Sequence, residues 1–166
     1  MTGVAHTQGY QTGDGIVNIT FTIYTTVTFN YTGAAQDDTM PSWVNSVTIE
    51  TRGAQGGAVT NYSPFPQGGL GASMIGDFAV TPGDVLTVVV GGRGNPDPSS
   101  SGGGGGSGVN LNASPIIVAG GGAGVDFQDP SFPGQDAVIT SSGISGNGGG
   151  GAGGHDGAKH LDLTQV

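Results

Sequence analysis

Between Val17 and Tyr31 the chain alternates almost without a break. The odd positions carry Val17, Ile19, Phe21, Ile23, Thr25, Val27, Phe29 and Tyr31; the even positions carry Asn18, Thr20, Thr22, Tyr24, Thr26, Thr28 and Asn30. Period two with β-branched and aromatic residues predicts a half-buried strand. At roughly 3.3 Å per residue the stretch would extend about 50 Å, well beyond the common strand of about five or six residues. The strand therefore either bends near Thr25 and Thr26 or leaves its own domain to pair elsewhere. Turn residues follow, Gly33, Asp37, Asp38 and Pro41. A second strand is expected with Val47, Ile49 and Thr51 on one face and Ser46, Thr48 and Glu50 on the other. Phe78 to Val80 and Val85 to Val90 read as two strands joined by Thr81, Pro82, Gly83 and Asp84. The apolar run Val88 to Val90 predicts burial on both faces. Ile116 to Ala119 and Ala137 to Thr140 complete the strands, and no stretch has the period of an amphipathic helix.

Glycine changes this picture. The chain holds 36 glycines in 166 residues, together with 9 prolines. Glycine runs lie between and after the strands, at Gly102 to Gly106, Gly120 to Gly122 and Gly148 to Gly151. Two readings stand side by side. Such runs serve as flexible linkers, or they adopt the extended three-residues-per-turn geometry of polyproline II. That geometry has no internal hydrogen bonds, so several such segments must satisfy one another side by side, and only glycine allows so close an approach.

Charge narrows the partners. The net charge is -9, with 12 acidic residues against the bases Arg52, Arg93 and Lys159. Three dispersed bases cannot neutralise a phosphate backbone or hold an anionic lipid surface, so neither nucleic acid nor membrane binding is expected. No apolar run is long enough for a membrane span, and the first residues carry no signal-peptide pattern. There is no cysteine, which excludes disulfides and thiolate chemistry.

Catalytic signatures are thin. The sole lysine, Lys159, is in no phosphate-binding motif, and Ser107 lies in glycine without the Gly-x-Ser-x-Gly register. His155, Asp156 and His160, and separately Asp126, Asp129 and Asp136, are the sets nearest to metal ligands. Neither has zinc or EF-hand spacing, and no metal or cofactor is expected. Asn18, Asn30, Asn61 and Asn112 each begin an Asn-x-Ser/Thr triplet. Tyr62, Phe65, Phe127, Phe132 and Trp43 fall in loops rich in Pro, Gly and Asn. They either cap the core or form a contact surface, where aromatic residues are enriched.

The strings VTFNYTGAAQ, PSWVNSVTIETRGAQGG, GDFAVTPGDVLTVVVGGRG, GGGGGSGV and PIIVAGGGAG occur in that order within the stretch Val27 to Gly154. In this order the chain resembles a bacterial and viral glycine-rich domain family, also found in the glycine-rich extracellular part of anaplastic lymphoma kinase. The resemblance implies an all-β, jelly-roll-like β-sandwich with packed polyglycine-II-type helices, similar to the polyglycine bundles at the tips of phage tail-fibre adhesins. Gly103, Gly104, Gly105, Gly121, Gly149 and Gly150 are then the packing glycines. Arg52 departs from the frame, where relatives often carry Trp, and residues 1–26 are additional to it.

The expected division is an N-terminal assembly strand in 1–26 and a glycine-rich β-sandwich domain in 27–166. The expected function is a non-enzymatic structural protein: a self-assembling subunit of an extracellular filament or surface appendage with adhesive character. Val17, Ile19, Phe21 and Ile23 would plug into a neighbour's sheet to build a homo-oligomer or helical polymer. The alternative is a virion tail-tip adhesin that binds a host receptor, with Tyr62, Phe65, Phe127 and Phe132 as contact aromatics.

Overall fold

The structure is a computed structural model and describes residues 25–125 and 133–139. The described chain is all-β, with two antiparallel sheets and no helix. The strands are β1 (Gln36–Thr39), β2 (Ser46–Arg52), β3 (Ser73–Ala79), β4 (Val85–Val89), β5 (Ser107–Leu111) and β6 (Ser114–Ala119). One sheet has the order β1-β4-β5-β6, and the other pairs β2 with β3.

Period two sets which side chains turn inward. In β2, Val47 and Ile49 are half-buried and Thr51 is buried, while Ser46, Thr48, Glu50 and Arg52 are exposed. Opposite it in β3, Met74 and Phe78 are half-buried and Ser73, Ile75 and Asp77 are exposed. The four-stranded sheet contributes Leu86 and Val88 from β4, Val109 from β5 and Ile117 from β6. These four are buried with Met40 and Val80, and Val47, Ile49, Met74 and Phe78 pack against them, so both sheets share one apolar cluster in a sandwich-like arrangement. Each fully buried side chain of this size contributes about 1.5–3 kcal/mol relative to exposure.

Two turns hold the strand ends in place. In Thr81-Pro82-Gly83-Asp84, the Asp84 N–H donates to the Thr81 carbonyl at 3.0 Å and Gly83 has φ 90°. Proline supplies the fixed φ of the second turn position, and only glycine takes the positive φ of the third without strain. This turn does not make a hairpin. It carries the chain from one sheet to the other, and β3 and β4 do not pair. The β5–β6 hairpin turns on Asn112 (φ 47°) and Ala113 (φ 69°), with Leu111 opposite Ser114. Positive φ at both central residues is the twist-matched two-residue turn. The Asn112 side chain ties it to β4: its Oδ1 accepts from the Val85 N–H at 2.9 Å and its Nδ2 donates to Asp84 at 2.8 Å.

Several expectations change. Thr25 to Tyr31 is not a strand, and Val17 to Tyr24 lie outside the described residues. Phe29 instead packs against the core cluster. β1 occupies what reads as a turn; Asp37 is spent on Thr87 of β4, whose hydroxyl donates to it at 2.7 Å. The Val88–Val90 run is not buried on both faces: Val88 is buried and Val89 is 47% exposed, because the outer face of this sheet is open to water. Ala137 to Ile139 forms no strand; Ala137 donates its N–H to Leu70 outside any sheet. Thr140 lies outside the described residues.

At one end of the sheets the strands run directly into glycine. β2 continues as residues 53–57 (segment I), and β3 is entered from residues 67–72 (segment II). β4 leads to residues 91–95 (segment III), β5 is entered from 101–106 (segment IV), and β6 continues as 120–125 (segment V). Residues 133–137 form segment VI.

Candidate functional site

These six segments make up the distinctive feature of the molecule. They belong to no sheet, yet their backbones are bonded to one another in three directions. In sequence terms they form two rows, III–I–II over IV–V–VI. Within the upper row, Gly94 donates to Gln55, while Gly53 and Gly56 donate to Ala72 and Gly69, all at 2.9 Å. Within the lower row, Ser101 and Gly104 donate to Val125 and Gly122, and Ala123 donates to Gln135, at 2.8–2.9 Å.

Between the rows, Ala54 and Gly57 donate to Gly105 and Gly102, Gly122 donates to Ala54, and Gly69 donates to Ala123. Gly105 donates to Gly92, and Gly134 and Ala137 donate to Gln67 and Leu70. Every neighbouring pair in this two-row arrangement is bonded. Donors on one segment that serve the same neighbour are three residues apart, as with 53 and 56, 101 and 104, or 134 and 137.

The absence of side chains explains the arrangement. Sheets packed face to face stand about 10 Å apart because side chains fill the gap. Where β2 and β3 give way to segments I and II, and β4–β5–β6 to III–IV–V, that filling is gone. The two layers close until backbone bonds backbone. A Cβ added at Gly53 or Gly56 would overlap the carbonyls of Gly120 and Ala123 in segment V. At Gly68 or Gly71 it would overlap Gly56 and Gly53, and at Gly121 or Gly124 it would overlap Gly104 and Ser101. Leu70, 58% exposed, and Arg93, exposed, point away from the lattice, while Gln55 and Ser101 bond into it through the Gly68 and Gly57 carbonyls. The buried glycines Gly56, Gly57, Gly69, Gly94, Gly121 and Gly122 are thus buried by backbone.

The charged groups around this lattice stabilise turns and strand ends. Asp97 accepts from the Ser99 and Ser100 N–H groups at 2.8 and 3.1 Å, and the Ser99 N–H bond is the main cause that holds its carboxyl below the ordinary value. Asp84 is held low first by the Asn112 amide and then by the Thr81 N–H. Glu50 is lowered chiefly by its bond to Arg52, at 2.8 Å, and then by Ser73. Asp136 accepts from the Leu70 N–H at 2.6 Å. Among the described residues no group of three or more His, Asp or Glu is placed to hold a metal ion, and no helix is long and apolar enough to cross a membrane.

The residues singled out in the sequence fall as follows. Gly104, Gly105 and Gly121 are within the lattice: a Cβ at Gly104 would overlap the Ala54 carbonyl, and one at Gly105 would sit 3.0 Å from the Gly91 Cα. Gly103 is on the same segment but exposed. Ser107 is buried, and its hydroxyl accepts from the Gly91 N–H at 3.0 Å, a structural role. Phe65 is 57% exposed, Trp43 is 79% exposed and Tyr62 is half-buried. Val17, Ile19, Phe21, Ile23, Phe127, Phe132, Gly149, Gly150, Asp126, Asp129 and all three histidines lie outside the described residues.

Segments I, II and III were not visible as glycine runs, yet they carry half of the lattice. A signal was there: Gly53 and Gly56, Gly68 and Gly71, Gly91 and Gly94, and Gly121 and Gly124 all keep a Gly-x-x-Gly spacing. Tyr31 was also missed as a lattice residue; its ring lies so close to Gly92 that a Cβ there would come within 2.8 Å of it. No family model matches the chain, and a search of curated proteins finds no relative.

Proposed function

We propose that the glycine segments are polyglycine-II-type helices, and that the chain is a non-enzymatic structural protein of an extracellular or virion surface appendage. The three-residue spacing of the interlayer bonds supports the helix assignment, since polyproline-II geometry has three residues per turn and leaves every backbone group for a neighbour. It is also supported by φ: among the described glycines only Gly33 and Gly83 have positive values, and both are in turns. In this reading the lattice is a rigid spacer built without a conventional core.

The observation that carries the functional reading is the position of the connections. Segments I, III and V leave the ends of β2, β4 and β6, and segments II and IV lead back into β3 and β5. The loops 58–66 and 96–100 therefore lie at the end of the lattice remote from the sheets. They are joined there by a parallel bridge between Val59 and Asp97. The exposed Phe65 is on this distal end. A rigid stem that carries an aromatic-bearing loop, 58–66, at its tip suits a terminal, receptor-binding subunit. Phe65→Ser should weaken binding of the purified chain to its host surface without changing its melting temperature. Equal binding by the variant would count against the tip reading.

A filament-forming subunit is the second reading, and the alternation of Val17, Ile19, Phe21 and Ile23 favours it. Such a strand adds main-chain hydrogen bonds to a neighbour's sheet, and its alternate side chains set the register. Electron microscopy of the purified full chain separates the two readings: regular fibres support the filament, and discrete particles that bind cells support the tip. A chain beginning at Thr25 should fold but stay monomeric if the strand is exchanged. Normal polymerisation of that chain would end the strand-exchange idea.

A further inference from the structure

Among the described residues the two sheets have four outer strands, β1, β2, β3 and β6, and three of them are guarded against further pairing. β1 has only four residues and carries Asp37 and Asp38. β6 carries Pro115 and breaks register with β5 between Val109 and Asn110. β2 carries the Glu50–Arg52 ion pair on its exposed face. Short length, proline, broken register and charge keep a sheet edge from pairing with another chain. β3 is guarded by none of these. It has seven residues without proline or lysine, in unbroken register with β2. Its one charged side chain, Asp77, is turned back to β2, where it accepts from the Thr48 hydroxyl. Of the four strands, only β3 exposes a large apolar side chain: Ile75 is 70% exposed.

We propose that the free edge of β3 pairs antiparallel with β3 of a second copy of this chain, which joins the two small sheets into one with the order β2-β3-β3-β2. The direction of the backbone groups supports this. Gly53 donates to Ala72, and Val80 donates to Asn45, so the odd positions of β2 and the even positions of β3 bond each other. Bonded and open positions alternate along such a pair. Ser73, Ile75 and Asp77 therefore direct their N–H and C=O groups to the free edge.

A two-fold axis at Ile75 sets these residues opposite one another. Ile75 meets Ile75 of the second copy, and Asp77 meets Ser73 of the second copy. Each such pair exchanges two hydrogen bonds, and the two isoleucines cover each other on the exposed face. No two carboxylates stand opposite each other, in a chain of net charge -9. On the inner face Met74 meets Gly76, which has no side chain to crowd it. Leu70 and Ile139, 58% and 70% exposed, extend the apolar strip; Ile139 is level with the start of β3 because Ala137 donates to Leu70. A two-fold contact needs a surface complementary to itself, and this register makes β3 such a surface, so the occupant is a second copy. The pair is closed and adds nothing to fibre growth.

Sedimentation of the full chain across a range of concentrations tests the proposal. One strand edge and a short apolar strip bury less than the roughly 1,200 Å² of a stable complex. The mean mass should therefore stay near that of one chain at about 10 μM and approach that of two at about 1 mM. Ile75→Lys should abolish the rise without lowering the melting temperature, because the side chain is exposed. Val89→Lys, on the exposed face of the other sheet, should leave the rise intact. A mass that stays at one chain at about 1 mM overturns the proposal. A rise that persists in the Ile75 variant, or that is lost equally in both variants, also overturns it. In a mixture of isotope-labelled and unlabelled unaltered chains, nuclear magnetic resonance should show contacts between the α-protons of Met74 and Gly76 from different copies. Contacts of the β3 edge with any other segment in their place would overturn the pairing.

Discussion

Adding one methyl group at Gly104 should do far more damage than adding one two residues earlier. Gly104 faces segment I, and a Cβ there would overlap the carbonyl of Ala54 and approach that of Gln55. Gly102 is exposed, and the nearest atom to its added Cβ, the Asn95 nitrogen, is 3.8 Å away. To admit the methyl at Gly104, segment IV must move off segment I. That movement strains the bonds from Ala54 to Gly105, at 2.9 Å, and from Gly57 to Gly102, at 2.8 Å. Each such bond contributes about 0.5–1.5 kcal/mol net, and overpacking of this kind costs about 1–3 kcal/mol in its own right. The losses overlap, so Gly104→Ala should destabilise by about 2–4 kcal/mol. Gly102→Ala removes freedom only from the unfolded chain and should be neutral or stabilise by about 0.4–1 kcal/mol. In a chain of this size the Gly104 variant should melt roughly 5–15 °C lower, while the Gly102 variant stays within a few degrees of the parent. Parallel thermal and urea unfolding of the two variants is the assay. Equal stability of the two variants would refute the claim that these segments are packed backbone to backbone.

Three other outcomes follow from individual residues. Ala113 holds φ 69° in a turn that prefers glycine, and relief of about 1–2 kcal/mol of left-handed strain outweighs the added unfolded-state entropy of glycine. Ala113→Gly should therefore raise the melting temperature, and a lower value contradicts the turn assignment. The Thr51 hydroxyl is buried without a protein partner, so Thr51→Val, of the same shape, should stabilise by about 1 kcal/mol in urea unfolding; destabilisation would mean that the hydroxyl is satisfied. Asp84 and Asp97 have folded pKa values below their ordinary value, so the stability they contribute is complete above about pH 4 and is lost as pH falls through the folded values. Asp97→Asn should make the dependence of stability on pH shallower below pH 4, and an unchanged acid profile would show that the Ser99 and Ser100 contacts contribute nothing.

How much of this was legible depends on where the information lies. The inner face of β2 could be read at Val47, Ile49 and Thr51 because one side is packed and the other is wet, which imposes period two. β1 could not, since Gln36, Asp37, Asp38 and Thr39 carry no apolar alternation; pairing with β4 makes them a strand. β5 was obscured by Gly108 and Asn110 on its outward side, where nothing selects for bulk. Over Thr25 to Tyr31 the alternation does not mark a strand: Phe29 packs against the core cluster and the ring of Tyr31, itself exposed, lies beside Gly92, both without strand pairing. In the glycine segments, run length was the wrong measure. A segment needs glycine only where its Cβ would enter a neighbour, so Ala54, Gln55, Leu70 and Arg93 fit between required glycines. The informative signal was the spacing of three.

The central claim is that the glycine segments form a hydrogen-bonded lattice, and couplings across hydrogen bonds test it most directly. In isotope-labelled protein, nuclear magnetic resonance should detect coupling from the Gly104 nitrogen to the Gly122 carbonyl carbon. The same should hold from Ala54 to Gly105 and from Gly69 to Ala123, pairs that link neighbouring segments within and between the rows. Random-coil shifts for these glycines, with no such couplings while the β-sheet couplings are present, would contradict the account.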